Sequence, residues 1–311
     1  MSPRRSAFID IGTNAILCLI ADIRDSGRFR ILDDLADIAR LGQGVDRTGR
    51  ISAEGELRAL AVLERYRDHC KNLAVEDIFA VGTSALRDAA NSGEVLARYR
   101  DKLGFEIRVI SGREEAAYCF LAVQRGLSLG AGELIVIDVG GGSTEFIRGN
   151  PSGVSRAVSL DVGSVRLTER FLHSDPVRGD EVAAMIGTVD REIAELPGLG
   201  IEADSNRTFV GTAGTFTTLA AMQKKLRNYS HGDVHGSCLT GEDLRRQVGL
   251  LQEKSVAERK AIVGMDPKRA DVIFAGACLI ERIMKFYRAE RVVVSDQGVR
   301  YGLLHQAAQA R

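Results

Sequence analysis

The chain is poor in several features that mark other classes of protein. Prolines number five in 311 residues, and no low-complexity linker divides the chain, so domains, if there are two, share a tight hinge. Cysteines also number five: Cys18, Cys70, Cys119, Cys238 and Cys278, scattered and odd in number. None forms a Cys-x-x-Cys pair, which argues against zinc and redox motifs and for buried thiols in a reducing compartment. Neither charge is in excess, with 42 Lys plus Arg against 42 Asp plus Glu. A general nucleic-acid coat needs a basic surplus and is disfavoured, whereas a local basic groove is still allowed. No apolar run reaches the roughly 20 residues of a membrane span, and residues 1–6 lead into a β-like segment without a signal-peptide core. A cytoplasmic chain is expected.

What is present is an alternation of strands and helices. Residues 7–11 and 16–22 are apolar strands around the turn Gly12-Thr13-Asn14, and 29–32 offers a third strand. Ser52 is placed to cap a long helix that turns Leu57, Leu60, Ala61 and Leu63 to a core. Strands follow at 78–81 and 106–110, with helices after Ser84 and Ser111. This order favours an α/β fold. A second cycle opens at 134–138, and here the chain repeats itself. Asp10-Ile11-Gly12-Thr13-Asn14 and Asp138-Val139-Gly140-Gly141-Gly142-Ser143-Thr144 share one plan: apolar strand, Asp, Gly turn, hydroxyl or amide residues, strand. They lie roughly one domain length apart, the mark of an internal duplication.

Paired Asp-Gly turns suit a phosphorylated ligand. Glycines bring backbone N–H groups close to an anion, and Thr13, Asn14, Ser143 and Thr144 add side-chain donors. Asp138 and Asp10 are candidate holders of a divalent cation, directly or through water. A single such turn is equally well a plain hairpin; the duplication favours the functional reading. Ser111-Gly112-Arg113-Glu114 is a capping box, which commits Glu114 to the backbone. Glu115 has no such duty and points about 100° away around the helix. It is either an exposed first-turn carboxylate favoured by the helix dipole or a group that aligns water for attack on phosphorus. Glu145 either faces solvent by alternation or belongs to the site. Arg87 is a surface arginine or a guanidinium clamp on phosphate. Gly211-Thr212-Ala213-Gly214-Thr215 is a packing turn or a phosphate seat at a helix N-terminus. His235 receives no role, and the basic run 222–227 is a solvated face or a guide for a polyanion.

The paired turns resemble those of the actin-like superfamily. Phe8 to Asn14, Gly82 to Arg87, Ser111 to Ala116, Asp138 to Glu145, Gly211 to Thr215, Val234-His235-Gly236 and Ser295-Asp296-Gln297-Gly298 narrow the resemblance to its exopolyphosphatase/guanosine pentaphosphate phosphohydrolase family. The resemblance implies an α/β fold of two RNase H-like domains around a central cleft, the first spanning 1–119, rejoined by 302–311, the second 120–301. It also implies Glu115 as the catalytic carboxylate with Glu145 assisting, and Arg87 on a terminal phosphate. Phosphates would be held by Gly12, Thr13, Asn14, Gly140, Gly141, Gly142, Ser143, Thr144, Gly211 and Thr212. Longer members carry a further helical domain, so a short form is expected, with high processivity in doubt and a homodimer restoring some basic surface.

The expected reaction is Mg²⁺-assisted attack of water on a terminal phosphoanhydride of inorganic polyphosphate or guanosine pentaphosphate, without nucleic-acid or membrane partners. Two rivals stand beside it: an ATP-dependent kinase or ATPase, and a non-catalytic sensor of phosphorylated nucleotides.

Overall fold

A computed structural model describes residues 3–202 and 207–310. The chain divides into two compact units, Met1–Ala122 with Val299–Arg311, and Val123–Gly298. Their boundary falls inside one helix, Gly112–Gly126.

The first unit carries β1 (Arg4–Ile11), β2 (Ala15–Ile23), β3 (Phe29–Ile38), β4 (Asp77–Gly82) and β5 (Ile107–Val109). They lie in the order β3-β2-β1-β4-β5. The pairs β1–β2 and β2–β3 are antiparallel, whereas β1–β4 and β4–β5 are parallel. The third strand is longer than expected, because Asp33, Asp34 and Asp37 all stay in the ladder with β2. Ser52 caps the helix Ala53–Asn72, its hydroxyl accepting from Gly55 N. That helix lays Leu60, Leu63 and Tyr66 on a core with Ile9, Ile11 and Ile16, whereas Leu57 and Ala61, also expected to face a core, are exposed. The final helix, Val299–Gln309, packs on β1 and β2. Arg300 grips both carboxylate oxygens of Asp34 on β3 at 2.8 and 3.1 Å, and the Tyr301 hydroxyl donates to Asp34 Oδ2 at 2.9 Å.

The second unit carries β6 (Leu134–Val139), β7 (Thr144–Asn150), β8 (Gly153–Leu160), β9 (Thr208–Thr212), β10 (Cys238–Thr240) and β11 (Arg291–Val294). Their order is β10-β11-β9-β6-β7-β8. Apart from the edge strand β10, this reproduces the first sheet: β6-β7-β8 form an antiparallel meander, and β9 and β11 continue parallel to β6. Both units therefore have the RNase H-like plan. Ile135, Ile137 and Phe146 meet Phe216, Leu279 and Ile283 in the second core.

Four cysteines are buried, as expected; Cys238, on the edge strand β10, is exposed. No helix among the described residues is long and apolar enough to cross a membrane.

Candidate active site

Each unit presents one half of the paired motif. In the first, β1 ends in Asp10 and Ile11, and Gly12 N donates to Ala15 O at 2.9 Å to close the turn. The carbonyls around this turn are taken by the protein. Ile11 O accepts from Thr83 N, Thr13 O from Gly42 N, and Asn14 O from both Ala39 N and Arg40 N at 3.0 and 2.8 Å. The amides of Thr13 and Asn14 have no partner among the described residues. Neither has the buried Asn14 Nδ2. Carbonyls are thus turned into the fold and donors are left over, the polarity that favours an anion.

The second turn is built the same way, with a stronger bias. Gly140 N donates to Ser143 O at 3.0 Å. The next three carbonyls are held by the start of the helix Ser164–Phe171: Gly140 O by Ser164 N, Gly141 O by Val165 N and Arg166 N, and Gly142 O by Arg166 Nε at 2.7 Å. The amides of Gly141, Gly142 and Ser143, and the Ser143 hydroxyl, have no partner among the described residues. Gly163 makes the arrangement possible, since a Cβ there would stand 2.4 Å from Gly141 O.

Strand register places the carboxylates. Asp138 pairs with Glu145 across β6–β7, Glu145 with Ser159 across β7–β8, and Asp138 with Thr212 across β6–β9. Directly opposed residues share a face of the sheet, so Ser159, Glu145, Asp138 and Thr212 form one polar row. Glu145 is 1 % and Asp138 8 % exposed, and Ser159 Oγ donates to Glu145 Oε1 at 2.8 Å. In the first unit the same row reads Ala36, Leu17, Asp10, Val81 and Arg108. Leu17 stands where the second unit has Glu145, so the duplicated turns are not chemically equivalent.

Glu114 and Glu115 separate by function. Glu114 accepts from Ser111 N and Oγ, each at 2.9 Å, and pairs with Arg108. The Ser111 amide, then Arg108 and the Ser111 hydroxyl, hold its carboxyl down at about 2. Glu115 is 7 % exposed and receives Arg87 Nη1 on Oε2 at 3.0 Å. The same Arg87 nitrogen donates to Ile110 O at 3.2 Å, which fixes the guanidinium against the carboxylate.

Besides Arg87, expected on a terminal phosphate and found on Glu115, three expected phosphate ligands have other duties. Thr144 is fully buried and its hydroxyl donates to Val162 O at 2.6 Å, because alternation turns it to the face opposite Glu145. The Thr212 hydroxyl donates to Gln297 O at 3.2 Å. Gly211 is small to admit the Phe216 ring, which lies 2.3 Å from where a Cβ would be. The helix Ala213–Gln223 nevertheless begins there without a side-chain cap, leaving its first-turn amides as the donors of that loop.

A family model for Ppx/GppA phosphatases matches residues 19–310. The chain belongs to the Ppx/GppA phosphatase family. Exopolyphosphatase 2 of Mycobacterium tuberculosis is 36 % identical over 97 % of this chain and 98 % of its own. The crystal structure of an exopolyphosphatase from Cytophaga hutchinsonii superposes with a TM-score of 0.90 at 30 % identity, covering 99 % of this chain and 98 % of that one. The Ppx/GppA family member of Aquifex aeolicus gives a TM-score of 0.81 at 33 % identity, covering 99 % and 98 %.

For a Ppx/GppA chain, the structure brings forward residues that the motifs did not single out. Arg166 and Ser159 support Gly142 and Glu145 as described above. Arg269 lies against Gly214, its guanidinium about where a Cβ would be, and its nearest carboxylate, Asp266, is 3.8 Å from Nε. Burial lowers the Arg269 pKa. A Gly-Ser helix start two residues before an arginine is a legible signal for Arg166. Arg269 is remote in sequence from its loop and carries none.

Proposed function

We propose that the chain is an exopolyphosphatase that hydrolyses terminal phosphates of inorganic polyphosphate, with guanosine pentaphosphate as the alternative substrate. The observation that carries this reading is a polarised turn in each unit, carbonyls captured and amides left over, with the buried carboxylates Glu145 and Asp138 on the sheet of the second unit and Glu115 on a helix of the first. Such turns suit a chain of phosphates, whose charge is high and whose repeating unit offers no other handle. Family membership and the names of the relatives support the same substrate class.

In this reading the amides of Thr13, Asn14, Gly141, Gly142 and Ser143 seat phosphate oxygens, while Gly12 and Gly140, also expected as phosphate ligands, spend their amides on closing the turns. Arg87 holds Glu115 in place, and Glu115 aligns a water and accepts its proton as phosphorus is attacked, with Glu145 assisting. The reaction is then mainly positioning and charge neutralisation.

Magnesium fits the donor set in one particular way. No group of three or more His, Cys, Asp or Glu among the described residues forms a protein-only cage. Mg²⁺ bound to phosphates keeps several waters and needs only one or two carboxylates. Asp138 in its polar row meets that need, with Asp10 as the candidate of the other unit. When bound, the ion neutralises phosphate charge. The buried thiols match a reducing cytoplasm.

The test is phosphate release with Mg²⁺ from short polyphosphate, long polyphosphate, guanosine pentaphosphate and ATP in parallel. Release from polyphosphate or guanosine pentaphosphate is expected and names the substrate. Turnover of ATP alone would move the chain to an ATPase, and binding without turnover of any of them would make it a sensor.

A further inference from the structure

Val234-His235-Gly236 and Ser295-Asp296-Gln297-Gly298 supply none of the groups assigned to phosphate or water, yet the fold joins them. Both lie in the second unit. Val234 is fully buried in the core of that unit. Gly236 takes φ +79°, in the left-handed region that favours glycine, and brings the chain onto β11. There Gly236 N donates to Val294 O at 2.8 Å and Val294 N to Ser237 O at 2.7 Å. His235 is thereby held, half-buried, between two backbone groups. Its Nε2 lies 2.9 Å from Gly126 O, and Asp296 N donates to its Nδ1 at 3.2 Å. A carbonyl only accepts and an amide only donates, so the two partners fix the ring. Nε2 carries the proton, Nδ1 is bare, and the imidazole is neutral.

Each partner leads to the site. Gly126 is the last residue of the helix Gly112–Gly126, whose first turn carries Glu115. The final carbonyls of a helix have no acceptor duty within it, and His235 supplies the missing donor. The Gln297 side chain rests on the same residue, where a Cβ of Gly126 would stand 2.1 Å from Gln297 Oε1. On the other side, Asp296 opens the loop whose Gln297 O accepts from Thr212 Oγ at 3.2 Å and from Ser295 Oγ at 2.9 Å. Thr212 belongs to the polar row of Asp138 and Glu145.

We propose that His235 is a positioning residue for phosphate release. Its neutral Nε2–H imidazole clasps the end of the helix that carries Glu115 to the loop that holds Thr212 in the carboxylate row. This rests on the assignment of Glu115 as the group that aligns the water. Without the clasp the helix end is free to shift against that loop, while the turns that seat phosphate keep their own carbonyl partners. The rate of turnover is therefore affected more than the binding of substrate.

Three variants of the full chain separate the two bonds. His235→Gln keeps a donor at the ε position, His235→Asn keeps an acceptor at the δ position, and His235→Phe fills the space with neither. For polyphosphate, kcat is expected to fall by about tenfold or more in His235→Phe and by less in the two one-armed variants, with KM within a few-fold of wild type. Nitrogen-15 NMR of the histidine-labelled protein at pH 8, with His235 assigned through His235→Gln, is expected to show a single tautomer protonated at Nε2. A mixture of tautomers, or a ring protonated at Nδ1, would overturn the clasp. A kcat close to wild type in His235→Phe, or a raised KM at unchanged kcat, would overturn the positioning role. Should His235→Phe fail to fold, the one-armed variants decide, and wild-type kcat in both overturns it. Undiminished turnover in Glu115→Gln would instead strike the reading on which the proposal rests, and the His235 variants leave that residue untouched.

Discussion

Glu114 and Glu115 are adjacent, yet one caps its helix and the other is buried against Arg87. The Glu114 carboxyl titrates below its ordinary value of 4.5, at about 2 in the folded protein. Its contribution to stability is therefore complete above pH 4.5 and is lost as the pH falls towards 2. Glu114→Gln should lower the melting temperature at pH 6, and the gap to the wild type should close as the pH falls through that window. A gap that is constant with pH would contradict the capping account. Arg259 makes a different case. It is 1 % exposed, its Nε donates to Leu251 O at 2.8 Å, it stacks over Phe274, and its Nη2 has no partner among the described residues. Burial lowers its pKa. Because a buried guanidinium that Asp175 and Asp271 offset only through space, with no ion pair among the described residues, is costly, Arg259→Met should match or exceed wild-type stability. Arg259→Ala, which also leaves a cavity, should lose about 2–5 kcal/mol in a denaturant titration.

At the scale of elements, the Gly-rich turn owes its polarity to the helix Ser164–Phe171 more than to its own glycines. Gly163→Ala would push a methyl into Gly141 O, so it should raise KM for polyphosphate and cost about 1–3 kcal/mol of stability. An unchanged KM would separate the helix start from phosphate binding. The paired turns were legible in the sequence because strand, Asp, Gly and strand follow each other within a few residues. The capping box at Ser111 was legible for the same reason. The Thr144 hydroxyl is not legible as buried because composition does not say which face of a strand a hydroxyl takes; it immediately precedes Glu145, and alternation turns the two to opposite faces. The carboxylate row was legible only in part. The hairpin brings Asp138 opposite Glu145 locally, while Thr212 joins them through a register that only folding sets.

For the whole molecule, the duplication supplies two copies of one plan and the later chemistry is unequal. Leu17 stands where Glu145 does, and the first unit's carboxylate, Glu115, comes from a helix instead of the sheet. The five strands of the first sheet could be read from strand and helix alternation, but not their order β3-β2-β1-β4-β5, and the edge strand β10 is three residues long and gave no periodic signal. If a hydrated Mg²⁺ is held between phosphates and Asp138, chelation should abolish phosphate release and added Mg²⁺ should restore it. Asp138→Asn should then raise the Mg²⁺ concentration needed for half-maximal rate. A rate indifferent to chelation would remove the cation from the account. The most direct test of the central claim compares wild type and Glu115→Gln for binding and for phosphate release on polyphosphate. The account predicts turnover lower by about 10²–10⁴-fold with binding within a few-fold of wild type. Turnover within a few-fold of wild type would contradict it, because Glu115 would then not be the group that aligns the water.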